Sequence, residues 1–175
     1  MKDSAKLKII EKARDMLFTR NEEEITMIDV ANELGITAPT LYHYFSGKDE
    51  LLAAGNSLIT KEITAIAFIK FPSSMPAKMR IVTVASIVAE YFINSGLPVS
   101  YLVEDPKDRP VVLKDFRDRI TSLFAEYLKN KKAKHTPEKM AYRFLSALQS
   151  DMLLLRKNKE KLEDDLAEKV FEDVV

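Results

Sequence analysis

TMIDVANELGITAPTLYHYFSGKDELL, residues 26–52, reads as a short helix, a tight turn, a second short helix and the start of a third. Thr26 can cap the first helix, and Asp29 three residues later completes a capping box. Ile28, Val30, Ala31 and Leu34 are its apolar positions. Gly35 falls where the chain must turn through positive φ, which glycine does without a Cβ penalty. Thr37 can cap the next helix, whose first turn tolerates Pro39 because that amide has no intrahelical partner. Leu41 and Phe45, four apart, share one face and are assigned to the core. Ser46-Gly47 breaks the chain, and Lys48-Asp49-Glu50 opens another helix. Two short helices about a glycine-containing turn match the helix-turn-helix pattern, whose second helix normally enters the DNA major groove.

Outward from this stretch, no alternating strand pattern, internal repeat or low-complexity tract interrupts helical periodicity. Residues 4–20 precede it as a helix with Leu7, Ile10, Ala13 or Arg14, and Leu17 on one side. Lys48 to about Phe71 reads as a long helix, ended by Pro72-Ser73-Ser74-Met75-Pro76. Ala77–Ser95 follows, stopped by Gly96 and Pro98. Residues 97–110 hold three prolines and read as loop with at most one short helix. Val111 to about Lys131 is helical again. Thr136 caps a helix that has Pro137 at its first position and runs to about Arg156, and residues 159–173 form the last. The expectation is an all-α chain of about nine helices. Residues 1–47 would be a three-helix helix-turn-helix unit, and residues 48–175 a helical bundle for ligand binding and dimerisation.

The 175 residues are 46% hydrophobic, enough for a real core. There is no cysteine, hence no disulfide framework and no thiolate metal site. No stretch approaches the ~18 apolar residues of a membrane span, and MKDSAKLKII lacks the pattern of a signal peptide. A cytoplasmic protein with no membrane partner is the expectation. His43 and His135 have no second ligand at helical spacing, and no phosphate-binding glycine loop occurs, so no catalytic residue, metal site or cofactor is expected. Net charge is zero, with 27 basic and 27 acidic side chains. Residues 1–52 carry Lys2, Lys6, Lys8, Lys12, Arg14, Arg20 and Lys48 against ten acids, which argues against DNA binding by bulk positive charge. The second short helix, 37–45, carries no acid.

The run Thr40-Leu41-Tyr42-His43-Tyr44-Phe45-Ser46-Gly47-Lys48-Asp49-Glu50-Leu51-Leu52 resembles the DNA-binding signature of the TetR family of bacterial transcriptional regulators, across roughly the first third of the chain. The resemblance implies that Ala38, Pro39, Thr40, Tyr42, His43, Tyr44 and Lys48 face DNA, with core packing beside Phe45 as the alternative for Tyr44. Thr37 adds a hydroxyl beside them, and Thr26 would offer its hydroxyl or amide to a phosphate. Residues 37–45 contain no Arg, Lys, Asn or Gln, the commonest readers of bases, so part of the specificity must come from DNA shape.

The resemblance also implies a homodimer built from the last two helices, here through Met140, Phe144, Leu148, Met152, Leu155, Leu162, Leu166 and Val170. It further implies a cavity among the middle helices for an apolar or aromatic small-molecule effector of unknown identity. Phe68, Tyr91, Phe92, Tyr101, Phe116, Phe124 and Tyr127 are the candidate lining, and the tyrosines its polar handles. The function so read is a repressor released from a near-palindromic double-stranded operator by that effector. The alternative is a helical lipid- or protein-binding module with a residual helix-turn-helix.

Overall fold

The computed structural model describes residues 2–103 and 113–175, with side chains from Ser4 onward. The described residues form eight α-helices and two short 3-10 turns, with no strand. In order they are α1 (Lys2–Thr19), a turn at Glu22–Glu24, α2 (Met27–Leu34), α3 (Ala38–Tyr42), α4 (Lys48–Ala67), α5 (Ala77–Ser95), a turn at Val99–Leu102, α6 (Lys114–Leu128), α7 (Pro137–Asn158) and α8 (Leu166–Val174). The second half of the proline-rich stretch and the expected helix start at Val111 lie outside the described residues. No described helix is long and apolar enough to cross a membrane. The chain divides into two compact bodies, one up to Glu62 and one from Ile63 onward, and the division falls within α4.

In the first body the short helices are fixed at their ends. The Thr26 amide and hydroxyl donate to the Asp29 carboxylate at 3.0 and 2.6 Å, and the Asp29 amide donates back to the Thr26 hydroxyl at 3.1 Å. This is the expected capping box, reciprocal in both directions. Gly35 closes α2 at φ 65°, and the Ile36 amide reaches the Ala31 carbonyl across the turn. The Ser46 amide and hydroxyl donate to the Glu50 carboxylate at 2.7 and 2.8 Å, which holds the entry to α4. The buried side of α1 is Ile9, Ala13, Met16 and Leu17, one position round from the expected stripe, so Leu7 is exposed. In α2 Met27 is buried and Ile28 exposed.

α1 and α4 meet closely because α4 has a glycine at the crossing. A Cβ on Gly55 would lie 3.0 Å from Leu17 Cδ1, 3.2 Å from the Arg14 nitrogen and 3.4 Å from the Ala13 carbonyl carbon. Two of those atoms are backbone, so α1 would have to move. Two turns further along α4, Glu62 pairs with Arg14, which also lies 2.8 Å from Asp15. Asn56, fully buried in α4, donates to Glu22 at 2.8 Å. Lys48 Nζ donates to the Glu23 carbonyl at 3.1 Å. These two bonds tie the Glu22–Glu24 turn to α4.

The second body is a bundle in which α5 packs on α6 and α8, and α7 on α6, α8 and α5. Its core includes Ile81, Val84, Val88 and Phe92 of α5, Phe116, Ile120, Leu123 and Phe124 of α6, Phe144, Leu148 and Met152 of α7, and Val170 and Phe171 of α8. Phe124 and Phe171 stack at 5.8 Å, and Phe144 meets both edge-on at 5.7 and 6.1 Å. Arg80 grips Glu126 with two hydrogen bonds of 3.0 and 2.6 Å, joining α5 to α6. Lys78 bridges Glu168 and Glu172, joining α5 to α8.

Several helix ends differ from expectation, α3 among them, which stops at Tyr42 rather than Phe45. α4 stops at Ala67 rather than near Phe71: the Phe68 amide still reaches Thr64, but the Ile69 amide reaches Ile66, a tightened last turn before Pro72. α6 stops at Leu128 rather than near Lys131, and Asn130 takes positive φ at 69°. The last helix begins at Leu166, not at residue 159. Lys159 sits in the left-handed region at φ 57°, and the Glu160 amide bonds back to the Leu155 carbonyl, a glycine-type stop made without glycine.

Two outcomes are expected. Gly55→Val should destabilise the protein by about 1–3 kcal/mol, read as a lowered midpoint in urea, because the α1–α4 crossing must open. The Asp29 carboxyl is held below the usual carboxylate range by the Thr26 hydroxyl and then the Thr26 amide, and that of Glu50 by the Ser46 amide and then its hydroxyl. A carboxyl whose folded pKa is depressed adds stability that is complete above its unfolded value, about 4, and is lost as pH falls through the folded value. Thermal melts below about pH 4 should therefore show progressive loss, and Asp29→Asn with Glu50→Gln should flatten that dependence.

Candidate nucleic-acid interface

Helix α3 is held from one side only. Leu41 and Phe45 are buried, and Lys6 lies 5.0 Å from the centre of the Phe45 ring. The opposite side is free: Thr37, Pro39, Thr40, Tyr42 and His43 are exposed, and Ala38 and Tyr44 half-buried. The Tyr42 side is 54% exposed, which no core role would leave. The Thr37 hydroxyl accepts from the Thr40 amide at 3.3 Å and shares a hydrogen bond of 2.9 Å with the Thr40 hydroxyl. The cap thus fixes the first turn of α3 and sets both hydroxyls side by side on its outer end.

Two expected contacts are already engaged within the chain. Both donors of Thr26, amide and hydroxyl, point at Asp29, so a phosphate there would meet a carboxylate before a donor. Lys48 is half-buried with Nζ on the Glu23 carbonyl. An ammonium has three donors, and that bond uses one. The Thr26–Asp29 bond is the capping box expected from the sequence, whereas the Lys48–Glu23 bond spans 25 residues and sequence reasoning missed it.

The expected effector lining is dispersed. Phe92, Phe116 and Phe124 are fully buried, Tyr101 nearly so, and Tyr91 meets Phe92 edge-on at 6.3 Å. Phe124 and Tyr127 pack against Phe171, the latter at 5.2 Å. Phe68 lies beyond the end of α4, 54% exposed, with Arg119 6.0 Å from its ring centre. These side chains fill space or cover surface, as aromatic residues of a small bundle do. Tyr127 also borders a surface cavity of about 620 Å³ between the α6–α7 loop and the end of α8.

The expected dimer residues are consumed by their own protomer. Met140, Phe144, Leu148, Met152, Leu155, Leu166 and Val170 are all buried in the bundle, and Leu162 is half-buried in the extended segment before α8. The outer face of α7 carries exposed Tyr142, Leu153 and Leu154 instead.

With this geometry in place, comparison with known proteins is direct. Residues 9–54 match the family described as bacterial regulatory proteins, tetR family. No curated protein matches the sequence. Among solved structures, a tetR-family transcriptional regulator from Streptomyces coelicolor superposes with a TM-score of 0.74 at 19% identity, covering 98% of this chain and 79% of that one. A TetR transcriptional regulator from Legionella pneumophila gives 0.67 at 20% identity, covering 95% and 92%. Mycobacterium smegmatis AmtR gives 0.68 at 18% identity, covering 97% and 86%. Identities this low speak for the fold, and the matched N-terminal segment speaks for the family. Residues 9–54 carry the pattern of the tetR family of bacterial regulatory proteins, and the described chain shares the fold of solved members of that family.

Proposed function

We propose that the protein is a sequence-specific DNA-binding transcriptional regulator, acting as a homodimeric repressor that an apolar small molecule releases from a near-palindromic operator. The observation that carries this reading is the outer face of α3, exposed and free of acids within an otherwise acid-rich segment. Residues 1–47 serve as the reading head, and residues 48–175 as the dimerisation and effector part. Thr40 and Thr37 offer hydroxyls to base edges, and Ala38 and Pro39 offer apolar contact to thymine methyls. Tyr42, His43, Tyr44 and Lys48 suit phosphates. A dimer presents two heads to half-sites about 34–36 Å apart or a further helical turn away. The dimer contact is assigned to the exposed face of α7 around Tyr142, Leu153 and Leu154, since the inner stripe is already buried. α4 begins in the head and runs on past Glu62, so an effector that favours one setting of α4 shifts the population able to hold both half-sites.

A second reading, a helical lipid- or protein-binding module that no longer reads DNA, draws support from the engaged donors of Thr26 and Lys48. Selection from genomic DNA fragments separates the two: a recovered palindrome supports the regulator, and no enrichment supports the module.

Tyr42→Ala with Lys48→Ala should weaken binding to all sequences alike and reduce the salt slope by about 1 per protomer, measured by fluorescence anisotropy across salt concentrations. Thr40→Ala should change base preference at one position of each half-site, by about 1–3 kcal/mol against the preferred base. Leu153→Glu with Leu154→Glu should convert a sedimenting dimer to monomer and abolish operator binding. A wild-type monomer at micromolar concentration would remove the dimer from the proposal, and an apolar-compound thermal-shift screen without a single stabilising hit would remove the effector.

A further inference from the structure

The loop between α6 and α7 and the first two turns of α7 hold Lys129, Lys131, Lys132, Lys134, Lys139 and Arg143 against a single acid, Glu138. In a chain of zero net charge this is a concentrated excess. Several cations elsewhere in the bundle are matched: Lys78 with Glu168 and Glu172, Arg80 with Glu126, Lys169 with Glu163 and Asp165. Among the described residues none of the six cations has a carboxylate within ion-pair distance. Lys131 instead sits 3.5 Å above the Tyr127 ring. The field is felt by His135, whose pKa is lowered by loss of solvent and then by the charges of Lys139, Arg143 and Lys134.

These cations do not lie on a flat track. Lys131, Lys132, Lys134 and Arg143 rim the cavity of about 620 Å³, and Leu128 and Met140 contribute apolar surface within it. One acid, Asp173, also borders it, so the lining keeps a positive balance. The volume is that of a small-molecule site. A nucleic-acid backbone would call for an extended stripe of charge, whereas a concave rim of cations over apolar side chains suits a compact anion with an apolar part. Arginine adds two-pronged recognition of phosphate oxygens to the point charges of the lysines.

We propose that this cavity binds a small organic molecule bearing a phosphate or pyrophosphate group, its charged end held by Lys132, Lys134 and Arg143 and its apolar end against Leu128 and Met140. The ligand class differs from the apolar effector proposed above, and the site does not depend on that reading. It gives the protein a second, anionic input.

Titration calorimetry of the full chain at physiological salt tests it with three probes: ATP, inorganic pyrophosphate and adenosine. Saturable binding of ATP and pyrophosphate at one site per protomer, with none of adenosine, is expected. Lys132→Glu with Lys134→Glu should weaken ATP at least tenfold while the melting temperature holds. Arg143→Gln should also weaken it, as an independent check should the double variant fold poorly. Absence of saturable binding by ATP and pyrophosphate overturns the proposal, as does affinity unchanged in both variants. So does loss of the ATP signal to competing random-sequence duplex with binding that tracks duplex length, or to vesicles containing anionic lipid, since either would make the patch a macromolecular surface.

Discussion

A five-residue helix cannot hold itself: its own hydrogen bonds do not offset the entropy of forming it. α3 exists because Thr37 caps its amides and because Leu41 and Phe45 are buried beneath it. Both supports act from one end and one side. That leaves the rest of the outer surface, Pro39, Tyr42 and His43, exposed and with no structural duty. The rest of the first body follows from the need to provide that floor. α1 supplies apolar side chains, α2 is set by its capping box, and Gly55 lets α4 approach α1 closely enough to close the core. The exposed face is thus a consequence of how a minimal helix must be stabilised.

The acids of the first segment illustrate why a charge count misjudges a surface. Read as a tally, ten acids against seven bases predict repulsion from DNA. In the structure many of them have partners. Asp29 caps α2, Glu50 caps the entry to α4, and Glu22 accepts from buried Asn56. Glu33 lies within 3.5 Å of Lys12 and 3.7 Å of Arg20. Exposed pairs of this kind add little stability each. Their effect on the field is larger, because a paired carboxylate contributes less to the potential over α3 than a free one. The segment stays acidic in sum: the neutral donors on Asp29 and Glu50 favour their charged forms, and it is Glu33 that lies beside cations.

What could be read from the residues was what is decided locally. The Thr26–Asp29 box, the turns at Gly35 and Gly96, and the caps at Thr37 and Thr136 with proline just inside all follow from short-range chemistry, and all are found. The start of α8 was not legible, because Lys159 reverses the chain in the left-handed region where sequence offers no glycine to mark it. Nor was the destination of the α7 stripe. Periodicity shows that Met140, Phe144, Leu148 and Met152 face something apolar, but the same pattern serves a protomer's own core or a partner. The aromatic residues of the bundle posed the same ambiguity, and Phe124, Phe144 and Phe171 resolve it by packing on one another. The bond from Lys48 to Glu23 joins residues too far apart in sequence for any local rule to pair them.

That bond and the Thr26–Asp29 box also rank two residues that family resemblance treats alike. For Thr26 to meet a phosphate, its amide or hydroxyl must leave the Asp29 carboxylate, which gives up a cap and places an acid beside the incoming anion. Lys48 faces no such cost. Its bond to the Glu23 carbonyl occupies one of three donors and orients the ammonium at the start of α4, leaving two for phosphate oxygens. The same contact fixes the Glu22–Glu24 turn, so the Lys48 side chain is already held and would lose less entropy on meeting a further partner. Of the two, Lys48 keeps donors free for a further partner, and Thr26 belongs to the scaffold of α2.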